Sequence, residues 1–249
     1  CGQENVPAAV VISAGFREAG REGLEREREL IEIADEHDIR LIGPNCLGVI
    51  DTHTPLNATF AAGMPPDGPI SFMSQSGALG TAVLDLALAG QIGFSRFVSL
   101  GNKADVDEID LLEAWGDDEE SRVILIYVEG LSDGHRFMQV AHEVTRKKPV
   151  VAIKSGVTQA GSRAVSSHTG SLAGSESAYQ AAFRQAGVIR AESMEHLFDY
   201  ARAFAYQPLL EGRRIAIVTN AGGPGILATD AVEHAGLELA RLQPETIEA

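Results

Sequence analysis

Between residues 69 and 206 the sequence alternates short apolar runs with longer segments of helical period, and this alternation restricts the fold most strongly. The runs predicted as strands are 69–74, 94–100, 123–128, 149–154 and 188–191. The segments predicted as helices are 76–89, 106–115, 133–146, 175–185 and 193–206. Strands and helices that alternate in this way form a parallel sheet with helices on both faces. The predicted fold class is therefore α/β.

Two further α/β segments flank this region. The first has a predicted strand at 6–13, a charged helix at 22–37 and a strand at 40–42, and the proline-rich stretch 51–69 after it predicts a linker or an irregular crossing segment. The second has a strand at 214–219, a glycine-rich turn at 220–225, a helix to about 235 and a strand at 237–242. Because both flanking segments are incomplete as sheets, we expect a fragment or one piece of a larger assembly.

The second flanking segment repeats part of the central region. Residues 70–80 and 215–225 each contain a buried strand, a polar turn, a glycine and the start of a helix, and Asp85 and Asp230 then fall in register. Such turns present free backbone N–H groups at a helix N-terminus, where open α/β sheets bind anions. One copy is typical of any strand–turn–helix unit, whereas two copies indicate a pair of anion sites.

Composition excludes several classes of function. The formal net charge of −15 argues against binding to nucleic acid or to an anionic membrane. No apolar run is long enough to cross a bilayer, so a cytoplasmic location is expected. Cys1 and Cys46 provide neither a disulfide framework nor a Cys-rich zinc pattern, and no metal site is predicted. Lysine is scarce, so an anionic ligand must be held mainly by backbone N–H groups.

A histidine stands in a long run of small residues. His168 lies within 166–174, and the upstream stretch 155–163 is similarly small and polar, which together predict a loop between a strand and a helix. Such a histidine can serve as base, metal ligand or nucleophile, although composition alone favours a surface histidine. The segments 74–77, 127–130 and 154–156, with Glu129 among them, are predicted to meet this loop at the carboxyl edge of the sheet. Taken alone, Glu129 would be a solvated strand end and Ser76 an N-cap.

These segments together resemble the nucleoside-diphosphate-forming acyl-CoA synthetase family, which includes ADP-forming acetate–CoA ligase and is related to succinyl-CoA synthetase. The resemblance covers nearly the whole chain, and its markers are 43–48, 74–77, 127–130, 167–170 and 220–225. It implies the second half of a CoA-binding Rossmann domain at 1–53, a linker at 54–67, a flavodoxin-like ligase domain at 68–208 and the start of a second one at 213–249.

The resemblance also implies roles for individual residues. His168 would carry a phosphoryl group between two active sites, and Glu129 would orient the phosphohistidine. The residues implied in phosphate binding are Ser74, Gln75, Ser76, Gly77, Gly222 and Gly223. Asn45 and Cys46 lie in the loop that resembles the CoA thiol region, although Cys46 is equally consistent with a small buried core residue.

The activity implied is acyl-CoA + phosphate + ADP ⇌ carboxylate + CoA + ATP, with acetate as the expected acid. CoA, ADP or ATP and Mg²⁺ would take part, the nucleotide and Mg²⁺ being bound mainly by an ATP-grasp subunit or fused domain, and an oligomer is expected. A different class remains open, because related chains form the acyl-CoA-sensing regulatory module of protein acetyltransferases. A third possibility, an inert structural domain, leaves the paired glycine-rich turns unexplained.

Overall fold

The structure is a computed structural model, and it describes residues 1–158, 161, 175–208 and 210–248. The chain divides into two compact units, Cys1–Gln207 and Pro208–Ala249. Among the described residues, no helix has the length and apolar character needed to cross a membrane.

The larger unit is built on a seven-stranded sheet in the order β4-β3-β6-β5-β7-β8-β9. Its strands are β3 (Gly48–Asp51), β4 (Leu56–Thr59), β5 (Asp67–Ser74), β6 (Phe94–Ser99), β7 (Val123–Val128), β8 (Val150–Lys154) and β9 (Ile189–Arg190). The last five run parallel, and β3 pairs antiparallel with both β4 and β6. The order of the parallel strands reverses at β5, as in flavodoxin-like sheets, so the switch point lies between β5 and β7. The predicted α/β class is confirmed.

Helices cover both faces of this sheet, and most residues of strands β5 to β8 are buried. The helices are α2 (Gly77–Gly90), α3 (Glu108–Gly116), α4 (Gly134–Thr145), α5 (Glu176–Ala186) and α6 (Met194–Tyr206). Helices α2 and α6 pack on one face around Phe72, Phe94 and Phe97, and α3, α4 and α5 pack on the other around Ile126 and Phe137. Side-chain N-caps begin all five helices, so their starts follow the sequence closely.

The N-terminal segment of the larger unit forms a small parallel pair, β1 (Ala8–Val10) and β2 (Arg40–Ile42), joined by α1 (Arg21–Glu36). The strand predicted at 6–13 is therefore shorter than expected, while the helix and the strand at 40–42 agree with the prediction. Ala34, Ile39 and Leu41 form a small separate core beneath α1.

The predicted linker at 54–67 contains a strand. Residues 48–51 and 56–59 form the β3–β4 hairpin, and β3 extends the main sheet beyond β6. The Asp51 carboxylate closes the hairpin turn by accepting from the backbone N–H groups of His53 and Thr54. The stretch expected to cross irregularly between two domains thus belongs in part to the larger sheet, because backbone pairing overrides its weak strand pattern.

The smaller unit contains β10 (Arg214–Ile215), α7 (Gly222–His234), β11 (Glu238–Leu239) and α8 (Pro244–Glu248). Strands β10 and β11 pair in parallel, which agrees with the predicted strand–turn–helix–strand order. Both strands are shorter than predicted, and Val218, expected inside the first strand, is 98% exposed.

Candidate active site

A cleft of about 930 Å³ opens at the carboxyl edge of the larger sheet, at its switch point. Its walls come from four stretches that are far apart in sequence: 45–47, 75–78, 101–103 and 129–132. Residues 12, 14, 17 and 18 of the N-terminal segment contribute a further side. The cleft therefore brings together six of the predicted site residues: Asn45, Cys46, Gln75, Ser76, Gly77 and Glu129.

The N-terminus of α2 supplies the anion-binding feature of this cleft. Ser76 is the N-cap, and its hydroxyl accepts a hydrogen bond from the Leu79 N–H at 3.3 Å. The first turn of α2, residues 77–80, consists of glycine, alanine and leucine, so no side-chain charge opposes an anion there. Backbone N–H groups and the helix dipole together favour negative charge at this position.

Ser74, the last residue of β5, is fully buried. Its hydroxyl donates to the Ser76 carbonyl at 2.8 Å and accepts from the Ser76 N–H at 3.0 Å. The hydroxyl therefore shapes the turn that presents Ser76, and a direct contact of Ser74 with phosphate stays a prediction.

The loop that carries Asn45 and Cys46 is held against the loop after β6. Asn45 has a left-handed φ of 58°, and its side-chain amide donates to the Asn102 side chain at 3.3 Å. The Leu47 N–H donates to the Ser99 hydroxyl at 3.0 Å. Gly101 has a φ of +57°, and a Cβ there would lie 2.3 Å from the Pro44 carbonyl oxygen. The two loops approach so closely that only glycine fits at position 101.

Cys46 lines the cleft but is almost entirely buried, and its thiol lies 3.4 Å from the Val11 carbonyl oxygen. Burial raises the pKa of the Cys46 thiol to about 11, which keeps it protonated at neutral pH. This environment is that of a small buried residue with an unreactive thiol. A role of Cys46 in CoA binding stays a prediction.

The cationic side chains described in the cleft are already paired. Arg17 lies 3.4 Å from the Glu27 carboxylate, and Lys103 binds Glu108 at 2.8 Å. An anion in the cleft would therefore meet mainly the backbone at the start of α2, as the scarcity of lysine predicted.

A buried polar cluster supports the N-terminal wall of the cleft. The Asn102 amide donates to Glu18 at 2.6 Å and to Glu27 at 2.8 Å. Burial alone would raise the pKa of Glu18, but hydrogen bonds from Asn102 and from the N–H groups of Gly15 and Phe16 lower it overall. Sequence reasoning missed this cluster, because its members lie on three separate segments.

Glu129 follows the last residue of β7 and is 7% exposed, so it is not the solvated strand end that it would be in isolation. Its negative charge reaches two neighbours at the same edge. Burial raises the pKa of Tyr127, and the charge of Glu129 raises it further. Burial lowers the pKa of Lys154, and the charges of Glu176 and Glu129 oppose this change. The Lys154 ammonium also lies 4.7 Å from the centre of the Tyr179 ring.

The remaining predicted residues lie elsewhere. His168 and the loop 166–174 are outside the described residues. Gly222 and Gly223 begin α7 in the smaller unit, where a Cβ at either position would meet no atom within 4 Å. Within the part of the chain that the structure describes, no cluster of His, Cys, Asp or Glu could hold a metal ion.

The strand order and the cleft define a flavodoxin-like α/β protein with a helix N-terminus at its switch point. Residues 67–204 match the model of the succinyl-CoA ligase like flavodoxin domain. The chain belongs to this family, and the resemblance drawn from its motifs is confirmed.

The chain is similar in sequence and structure to proteins that are longer than it is. It is 50% identical to the alpha subunit of acetate–CoA ligase [ADP-forming] II of Pyrococcus furiosus, over 100% of this chain and 54% of that subunit. It is 54% identical to acetate–CoA ligase [ADP-forming] I of Archaeoglobus fulgidus, over 99% of this chain and 36% of that protein. The dinucleotide forming acetyl-coenzyme A synthetase 1 of Ca. Korarchaeum cryptofilum, solved with phosphate and ADP, superimposes with a TM-score of 0.92 at 42% identity, over 98% of this chain and 52% of that one. The chain thus spans between about a third and about half of these relatives.

Proposed function

We propose that this chain is the phosphoryl-carrying and CoA-binding part of an ADP-forming acyl-CoA synthetase, with acetate as its acid. The observation that carries the proposal is the single cleft in which the Asn45–Cys46 loop, the N-terminus of α2 and Glu129 meet. The proposal is further supported by the two acetate–CoA ligases that match this chain over nearly its full length.

In this proposal the Ser76 hydroxyl and the Gly77 N–H at the start of α2 hold the phosphoryl group that leaves an acyl phosphate. One nitrogen of the His168 imidazole attacks phosphorus, the bond to the acyl oxygen breaks, and the carboxylate leaves. Glu129 accepts the N–H of the other nitrogen, which fixes the tautomer and offsets the positive charge of the ring. ADP then takes the phosphoryl group from His168, with Gly222 and Gly223 as a second phosphate-binding turn.

Residues 1–53 serve in this proposal as the second half of a CoA-binding Rossmann domain, residues 68–208 as the ligase domain, and residues 213–249 as the start of a second one. An ATP-grasp subunit or fused domain would bind nucleotide and Mg²⁺, and the assembly would be an oligomer. This assignment agrees with a chain that spans only part of its relatives.

Mapping of the phosphorylated residue tests the proposal. The complete enzyme is incubated with labelled ATP and Mg²⁺, and separately with labelled phosphate and acetyl-CoA. We expect acid-labile, base-stable label on His168 in both reactions and none in His168→Ala. Label on another residue, or equal label in His168→Ala, would refute the role of His168. Acetyl-CoA binding without label or turnover would instead favour the sensing module of an acetyltransferase.

A further inference from the structure

The side chain of Gln75 is fully engaged by the loop that follows β7. Its Oε1 accepts hydrogen bonds from the N–H groups of Glu129 at 2.8 Å and Gly130 at 3.0 Å. Its Nε2 donates to the Glu108 carboxylate at 3.0 Å and to the Gly130 carbonyl at 2.9 Å. A side-chain amide has two donors and two acceptor positions, so Gln75 keeps no hydrogen-bonding position for a phosphate. The opposite amide orientation would face donors with donors and is excluded.

Glu108, the first residue of α3, fixes the other end of this amide. It is completely buried, and both of its carboxylate oxygens lie 2.8 Å from the Lys103 Nζ. The Lys103 ammonium also donates to the Gly130 carbonyl at 2.7 Å. A buried ion pair is a poor source of stability, because desolvation offsets the attraction of the charges. We therefore interpret the Lys103–Glu108 ion pair as a means of fixing the positions of the neighbouring groups.

The groups that surround the Lys103–Glu108 pair and Gln75 are backbone atoms of Glu129 and of the residues that follow it. Gln75 holds the N–H of Glu129 and both backbone polar groups of Gly130, while Lys103 holds the Gly130 carbonyl from another direction. The Leu131 N–H donates to the Tyr179 hydroxyl at 2.9 Å, which fixes the next residue as well. The backbone that carries the Glu129 side chain is therefore held by hydrogen bonds at residues 129, 130 and 131.

We propose that Gln75, Glu108 and Lys103 form a positioning cluster that sets the Glu129 carboxylate in the cleft, and that Gln75 does not bind phosphate through its side chain. This inference rests on the proposed function, in which Glu129 orients His168. It replaces the direct role that the motif 74–77 suggested for Gln75 with an indirect one.

Substitutions that change the donor at residue 75 and the acceptor at residue 108 test this cluster in the complete enzyme. Gln75→Glu places a second carboxylate 3.0 Å from Glu108, and two like charges at that distance cannot both stay ionised without repulsion. We expect labelling of His168 from labelled ATP to slow by about 10- to 100-fold at neutral pH, which is less than the loss of a positioned acid–base group itself, because the cluster acts through Glu129. The KM for phosphate should stay close to that of the parent enzyme.

Two readouts separate positioning from a general structural role. As the pH falls, the carboxyl pair takes up a proton and regains a donor, so the rate of Gln75→Glu relative to the parent should rise. The double variant Gln75→Glu/Glu108→Gln restores a donor and an acceptor at this contact and should recover part of the rate. Recovery is incomplete because the Gly130 carbonyl still lacks the donor from residue 75 and Lys103 lacks its anion. The exposed pair Gln139→Glu/Glu143→Gln on α4 makes the same changes of residue type and should behave as the parent does.

The outcomes are distinguishable. If Gln75→Glu labels His168 at the parent rate, or raises the KM for phosphate without rescue by Glu108→Gln, the positioning cluster is refuted. If the parent enzyme itself carries no label on His168, the proposed function fails instead. Should Gln75→Glu not fold, the isosteric Glu108→Gln alone provides the test, because it leaves Lys103 without its anion. It should lower kcat, and an unchanged kcat would refute the cluster.

Discussion

At the scale of single residues, Glu129 offers the sharpest test of the chemistry. Glu129→Gln keeps the size of the side chain and an acceptor oxygen but removes the negative charge that would offset a charged imidazole. We expect phosphorylation of His168 to slow by at least about a hundredfold, the lower end of the range for positioned acid–base groups. Rapid-quench labelling of the complete enzyme measures the rate, and circular dichroism checks the fold. Glu143→Gln, an exposed substitution of the same type, is the control. A folded Glu129→Gln that labels at the parent rate would contradict the role given to Glu129.

Cys46 provides a prediction about pH. Its pKa is raised from 9.0 to about 11 by burial, so at pH 8 its thiolate fraction is about a hundredfold lower than that of an unperturbed thiol. Because the thiolate is the reactive form, alkylation should be slow at pH 8 and should accelerate as the pH rises toward 11. Iodoacetamide rates are compared between Cys1→Ser, which leaves Cys46, and Cys46→Ser, which leaves the exposed Cys1. Equal rates at pH 8 would show that Cys46 is neither buried nor shifted in this way.

The sequence predicted the site residues that follow strands, but not the buried residues that hold those site residues in place. Ser76 and Glu129 follow apolar runs directly, so their place at the carboxyl edge is predictable from the pattern. Lys103 and Glu108 depend on contacts across the fold, and an acidic residue in a first helical turn usually indicates only a favourable dipole interaction. The burial of Glu108 could have been predicted, because Glu108 shares a helical face with Leu112 and Trp115, which are buried.

At the scale of elements, the sequence predicted the parallel strands and their helices with small differences in their ends. Strand β7 agrees with its predicted range, since a continuous run of β-branched and apolar residues between turn signals fits a strand buried on both faces. Strands β3 and β4 were missed because each has four residues, β4 lies among prolines, and β3 joins the sheet only through β6, which is distant in sequence.

The close contact between the Asn45–Cys46 loop and the loop after β6 predicts that a methyl group added at Gly101 lowers the stability of the protein. Gly101→Ala would place a Cβ at a left-handed φ, 2.3 Å from the Pro44 oxygen and 2.4 Å from the Asn45 oxygen. We expect the free energy of unfolding to fall by about 1–3 kcal/mol, since backbone strain and close contact act together. Urea denaturation measures the change.

A second glycine provides the matched control. Gly134 begins α4 and has no atom within 4 Å of a would-be Cβ. Gly134→Ala should change stability by less than about 0.5 kcal/mol or raise it, because the substitution restricts the unfolded chain without strain. If Gly101→Ala and Gly134→Ala have the same stability, the close approach of the two loops is wrong.

At the scale of the whole molecule, the two units of the chain differ in how much sheet structure they contain. The larger unit carries a complete flavodoxin-like sheet, and the smaller unit carries two strands of two residues each. Apolar side chains at Val218, Ile226 and Leu227 of the smaller unit are 66% to 98% exposed. An exposed apolar set of this kind is usual where further structure packs.

The last prediction follows from the proposed function. We expect the 249-residue chain alone to form no acetyl-CoA from acetate, CoA and ATP, because the proposed nucleotide-binding part is supplied by other residues. Addition of an ATP-grasp subunit, or extension of the chain to include that domain, should restore turnover, and His168→Ala should abolish it again. The measurement is the formation of the CoA thioester, with each protein purified separately and with the ATP-grasp part alone as the control for contaminating activity. Sustained turnover by the isolated chain would show that nucleotide binds within these residues, and the division of labour proposed between the two parts would then be wrong.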